Sequence, residues 1–242
     1  MNGALAIARR EFKTFFNSPI AYIVLGGFLV LAGWLFFGTL FLAGQASLRG
    51  FFGLAPVLFV VLVPAITMRA LAEERKSGTL ELLLTLPVPD WQVTVGKFLA
   101  ALGMVAVGLA CTLPYAFSVA ALTGPGPAFD WGPVVAGYLG LLLLASAFIA
   151  LGLWGSALSK NQIVGFIVGL LLCFAFSFID NFALLLPDAL GQVLEFLSVD
   201  YHFENIARGV IDTRDLVFYL TLTALGLGLT TQALGAARGA EA

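Results

Sequence analysis

Six apolar stretches, each long enough to cross a lipid bilayer as a helix, constrain this chain more than any other feature. They run from Ile20 to Ala43, Phe51 to Ala72, Val95 to Thr123, Gly132 to Leu158, Ile163 to Leu185 and Leu216 to Leu234. A helix rises about 1.5 Å per residue, so about 20 residues cover a hydrocarbon core of about 30 Å. Composition agrees. Of 242 residues, 60% are hydrophobic and 11% charged, with a mean hydropathy of +1.01, whereas soluble domains carry about 25% charged residues. The expected fold is an all-α integral membrane protein, one domain over residues 1–242. It has six transmembrane helices, an N-terminal interfacial helix (1–19), a short helix in the loop 73–92, and an outer amphipathic helix in the segment 186–215 before the last span.

Arg9, Arg10 and Lys13 precede the first apolar run, as in a signal peptide. The run is too long for a signal h-region of about 7–15 residues and no A-x-A site closes it, so it reads as a retained first span. In the second span Pro64 should kink the helix, because proline lacks the amide donor and clashes one turn back. With the N-terminus in the cytoplasm, nine basic residues fall inside (Arg9, Arg10, Lys13, Arg69, Arg75, Lys76, Lys97, Lys160, Arg238) and three outside (Arg49, Arg208, Arg214). This asymmetry places both termini in the cytoplasm, consistent with an even number of spans.

Between residues 4 and 17, Leu5, Ala8, Phe12, Phe15 and Phe16 recur at spacings of three and four, with Arg9, Arg10 and Lys13 largely on other faces. That pattern predicts a helix lying in the interface, anchored by Phe12 and Phe16 and ended by Ser18-Pro19. The loop EERKSGTLELLLTLPVPDWQ, residues 73–92, holds a leucine run too short to span. It predicts a surface helix bounded by Gly78 and Pro87, with Ser77, Glu81 and Thr85 four apart on one face and Asp90 capping the third span. On the opposite side, residues 186–215 are acidic. Pro187-Asp188 opens an amphipathic stretch there, carrying Val193, Leu194, Phe196 and Leu197. TGPGPAFDWGP, residues 123–133, is a tight outer turn.

Several chemistries lack their residues. The single Gly-Lys pair, Gly96-Lys97, is followed by Phe98 at the start of an apolar helix, so there is no phosphate-binding G-x-x-x-x-G-K-[ST] loop. H-E-x-x-H and G-x-S-x-G are also missing. Cys111 and Cys173 lie in apolar runs without metal spacing. His202 is the only histidine and reads as a surface residue or a helix-end partner rather than a catalyst. The net charge of -2 indicates no nucleic-acid surface. No ionisable residue falls at the centre of a span, which disfavours an ion-coupled secondary transporter. A non-transporting membrane scaffold is not excluded by these residues.

The segment EERKSGTLELLLTLPVPDWQVTVGK resembles the type-2 ABC (ABC-2) permease family, whose first cytoplasmic loop has the form E-[RK]-x-x-G-T-L-E-x-L-L-x-x-P. The matching residues are Glu74, Arg75, Lys76, Ser77, Gly78, Thr79, Leu80 and Glu81, then Leu83, Leu84 and Pro87. Residues 201–220, YHFENIARGVIDTRDLVFYL, are similar to the gliding-motility-associated, GldF-like branch. The resemblance implies a non-catalytic exporter subunit of a bacterial inner membrane, with the loop helix as a coupling helix fitted into a groove of a separate cytoplasmic ATPase. It implies two copies of that ATPase, which would hold ATP and Mg, while this chain binds no cofactor itself. A second membrane permease subunit, identical or homologous, completes the assembly, with room for an accessory extracytoplasmic subunit. The residues assigned to ATPase coupling are Glu74, Arg75, Lys76, Ser77, Gly78, Thr79, Glu81 and Thr85. Gly165 and Gly169, four apart, permit close helix approach either between two such subunits or within one.

Overall fold

A computed structural model of the chain describes residues 2–43, 47–79, 88–123, 129–185 and 187–241. Its elements are α1 (Asn2–Asn17), α2 (Pro19–Ala43), α3 (Arg49–Thr67), α4 (Arg69–Ser77), α5 (Asp90–Leu122), α6 (Trp131–Ala157), α7 (Gln162–Phe178), a 3-10 turn (Ile179–Leu185), α8 (Asp188–Leu197), α9 (Val199–Ala207) and α10 (Thr213–Glu241). Among the described residues there is no strand. Six helices are long and apolar enough to cross a membrane: Ala21–Leu42, Arg49–Ser77, Asp90–Leu122, Trp131–Ala157, Gln162–Phe182 and Thr213–Arg238. The chain is therefore an all-α, multi-pass membrane protein.

Helix starts follow local side-chain chemistry. Asp130 accepts from the Gly132 amide at 2.9 Å and Asn161 from the Ile163 amide at 2.9 Å, capping α6 and α7, while Ser198 caps α9 through the Tyr201 amide. Asp90 is itself the first helical residue of α5, with Pro89 at the cap position. The expected Asp90 cap is thus shifted by one, and its carboxylate meets Arg238 of α10 instead, at 2.8 Å.

The fourth span is the hub. Of its apolar window 72% is buried, against 22% for the first and fifth spans and 28% for the last, so α2, α7 and α10 present side chains such as Trp34, Leu42 and Phe174 outward. Lipid supplies no hydrophobic drive between spans, so close contact rests on small residues. A Cβ on Gly155 of α6 would lie 2.8 Å from the Gly169 nitrogen of α7, and one on Gly165 would lie 3.2 Å from Ser156 Cα. Gly165 and Gly169 are thereby committed to packing within the subunit.

Other expectations are corrected in detail. The second span passes through Pro56 and Pro64 as helix and is interrupted one turn later, at Met68. Ser156 of α6 resolves the freed backbone groups there. Its hydroxyl accepts from the Leu71 and Ala72 amides, both at 3.1 Å, and donates to the Met68 carbonyl at 2.9 Å. Beyond the break, α4 carries the same span on to Ser77, past the expected end at Ala72. The segment 186–215 forms two helices separated at Ser198, not one. On α1 the buried stripe is Ala4 and Ala8, with Ile7, Phe12 and Phe15 half-buried, whereas Leu5 is 68% exposed. The alanines face the bundle because α1 seats lengthwise on the first turns of α5, where Ala4 and Ile7 crowd Gly96, and Phe12 touches Gly103. Leu5 is left on the outward side.

Candidate functional site

One end of the bundle collects α1, α4, the start of α5 and the end of α10. We call it the terminal end, because both chain termini lie there. Its centre is Lys97, 3% exposed on an apolar helix. Burial of an ammonium is expensive without paired charge, and two carboxylates supply it. Lys97 Nζ donates to Glu74 Oε1 of α4 at 2.7 Å and lies 3.7 Å from Glu11 Oε1 of α1. Glu11 also pairs with Arg10 at 2.7 Å. Two cations and two carboxylates make this group neutral, and it joins three elements distant in sequence.

The arm α4 is held along its length. Arg69 grips Glu73 through two bonds of 2.8 and 2.9 Å. The Arg75 guanidinium donates to the Ala233 carbonyl of α10 at 3.3 Å. Arg238 of α10 reaches back to the Val88 carbonyl at 3.3 Å and to Asp90, and Thr231 donates to Thr94 at 3.1 Å. The arm ends at Gly78, whose φ of 73° and ψ of 0° form a left-handed C-cap. That conformation is open to glycine and strained for a side chain with a Cβ.

The residues assigned to ATPase coupling fall into two groups. Glu74, Arg75, Lys76 and Ser77 lie on the arm, with Glu74 and Arg75 tied to the bundle, Lys76 exposed, and Ser77 donating to the Glu73 carbonyl at 2.9 Å. Gly78 breaks the helix, and Thr79 follows with its hydroxyl 2.8 Å from that of Ser77. Glu81 and Thr85 lie outside the described residues, as does the loop helix itself. The left-handed Gly78 ends the arm directly after Ser77.

Of the interfacial-helix residues, Arg9, Arg10 and Lys13 are exposed. Phe12 and Phe16 are neighbours at 4.9 Å between ring centroids, and Phe16 meets Tyr22 at 6.1 Å, which braces the turn into α2. A crevice of ≈ 280 Å³ opens between α1, α2 and the arm. Its polar lining includes Glu11, Arg69, Glu73, Glu74 and Thr79, beside the root of the loop.

Lys97 was not singled out by sequence reasoning. The available signal was a lysine eight residues into a 33-residue apolar helix, together with Glu11 and Glu74 in two other segments.

At the opposite, distal end, His202 is buried rather than at the surface. Its Nε2 lies 2.9 Å from the Phe196 carbonyl and its Nδ1 2.6 Å from Asp215 Oδ1. A carbonyl only accepts, so Nε2 carries a hydrogen, and one further proton sits between Nδ1 and the carboxyl. The ring stacks on Phe218 at 4.0 Å, binding α8 and α9 to the last span. Among the described residues no three His, Cys, Asp or Glu side chains converge as a metal site.

The sequence profile of a family described as ABC-2 family transporter protein matches residues 38–216. No curated protein matches the chain.

Proposed function

That match spans well over half of the chain, which therefore belongs to the ABC-2 transporter family, and from this premise we propose that it is the permease subunit of an ATP-driven exporter. The chain is a transmembrane subunit of an ABC transporter and not itself catalytic. In the proposed arrangement the terminal end lies in the cytoplasm of a bacterial inner membrane. There a separate ATPase, present in two copies with ATP and Mg, presses on the loop that follows Gly78. A second permease subunit completes the pathway, and gliding motility is one setting for such an exporter.

The observation that carries this reading is the pairing of Lys97 with Glu74 of the arm and Glu11 of α1. It makes the arm a lever whose movement must be shared by α1 and α5. The ties from Arg75 to α10 and from Ser156 to the Met68 break extend the linkage to the last and fourth spans. Force applied at the loop thus has covalent and electrostatic routes into four spans. The polar crevice beside Thr79 offers a partner side chain room next to the root of the loop.

The test is co-purification with the ATPase. Glu81→Arg and Gly78→Val should insert normally yet lose ATPase binding or stimulation of turnover. A charge reversal at a desolvated contact costs about 2–5 kcal/mol, so binding should weaken at least tenfold. Glu195→Arg, on the exposed side of α8, serves as the control. Unchanged binding and stimulation by Glu81→Arg would remove the loop as the coupling element.

A further inference from the structure

We propose that a cavity at the distal end, between the first turns of α3 and the helix α9, binds a phosphoethanolamine headgroup, with the phosphate on Arg49 and the ammonium on Asp200. The cavity has a volume of ≈ 520 Å³. Arg49, Phe52 and Pro56 contribute one face of α3, at spacings of three and four, and Asp200, Phe203 and Glu204 contribute the matching face of α9. Two helices that otherwise touch only lightly thus enclose a space with charged rims and an aromatic floor.

The charges are arranged for a zwitterion. Glu204 is engaged by Arg208 one turn along α9, which leaves two groups without a partner of opposite charge. Arg49 has no carboxylate within ion-pairing distance among the described residues, and its guanidinium fork suits a phosphodiester. Asp200 Oδ1 is buried with no hydrogen-bond donor. A buried carboxylate oxygen requires one, and a primary ammonium brings three.

These requirements discriminate between ligands. A quaternary choline ammonium has no N–H to offer Asp200. A purely anionic headgroup would meet Arg49 and Arg208, which also lines the cavity and is engaged by Glu204, but would leave Asp200 without a donor and set its charge against Asp200, with Asp180 close behind. A simple amine would leave Arg49 bare. Phe52, Pro56 and Phe203 give the glycerol and upper acyl carbons an apolar wall. The inference is independent of the ATP-coupling reading, because the cavity belongs to the membrane subunit alone and lies at the other end.

The full chain, reconstituted in phosphatidylcholine nanodiscs doped with phosphatidylethanolamine or phosphatidylglycerol, should retain the ethanolamine lipid about tenfold over either alternative after delipidation, counted by mass spectrometry. Arg49→Gln, at an exposed position, should lower retention of all three lipids, since each carries a phosphodiester, and Arg49→Lys should keep part of that retention. Asp200→Ala should bring the three lipids to parity. Glu195→Gln should leave the preference unchanged. Soluble glycerophosphoethanolamine distinguishes the sources: displacement of the lipid assigns the site to the headgroup wherever it comes from, and failure to displace assigns it to a membrane lipid. Equal retention of the three lipids by the wild type, or an ethanolamine preference that survives Asp200→Ala, overturns the proposal.

Discussion

The two ends of the bundle use their charged side chains differently. At the terminal end the buried cation is matched. Lys97 faces Glu74 and Glu11, and the neighbouring Arg69–Glu73 and Arg238–Asp90 pairs sit around it. At the distal end one pair is buried, His202 with Asp215, while Asp200 and Arg49 face a cavity unmatched. Matched charge between segments distant in sequence transmits displacement, since parting the groups strands a charge in an apolar setting. Unmatched charge around a space leaves valencies for something else to fill. The terminal end is built as a joint and the distal end as a receptacle.

The largest effect should come from breaking the joint. Lys97→Met leaves Glu74 and Glu11 without their shared cation, and removal of one partner of a buried pair costs about 3–5 kcal/mol. The thermal midpoint in detergent should fall by about 10 °C. Adding Glu74→Gln to Lys97→Met should recover much of that loss, because the stranded charge is then gone. If the double variant melts below the single one, Glu74 and Lys97 are not coupled and the arm is held by other contacts.

Much of this architecture is legible in the linear pattern. Span count, the turn at Ser18-Pro19 and the amphipathic start at Asp188 all depend on residues within a few positions of one another. What the pattern does not expose is partnership over distance. Lys97 looks like an ordinary basic flank until Glu74, 23 residues earlier, is brought against it. His202 reads as a surface residue or a helix-end partner until Asp215 and the Phe196 carbonyl, at the end of α8, decide for the second. The arm runs past its apolar end because Ser156 accepts and donates for the break at Met68, a bond spanning more than eighty residues. Gly165 and Gly169 announce close packing, but only the tertiary arrangement assigns it to α6 of the same chain.

The distal joint gives an intermediate effect. His202→Ala strands Asp215 and the Phe196 carbonyl, at about 1–3 kcal/mol per unsatisfied buried group. The loss should be local. Amide exchange across 199–207 should accelerate while exchange in α1 and the start of α5 stays unchanged. Asp215→Asn can offer its amide N–H to Nδ1 and should cost less than His202→Ala. Faster exchange at both ends in either variant would mean that the ends are energetically coupled, and the contrast drawn between them would fail.

The effect that best separates the two ends is a pH dependence. Burial and the nearby Asp180 push the Asp200 carboxyl up from an ordinary 3.8 to about 7. The folded protein therefore holds a proton at Asp200 that the unfolded chain releases between about pH 4 and 7. With more protons bound in the native state, stability falls as pH rises. The contribution is greatest near pH 4, declines through about pH 7 and is flat above it. Across that window the thermal midpoint should drop as pH rises, a slope that Asp200→Asn should remove. Lys97→Met should leave the slope intact, since it acts at the other end. An ammonium bound at Asp200 favours the carboxylate and draws its pKa back down, so phosphatidylethanolamine should flatten the same slope in the wild type while phosphatidylcholine does not. A slope that persists in Asp200→Asn would place the titrating group elsewhere and leave the distal cavity without a proton to exchange.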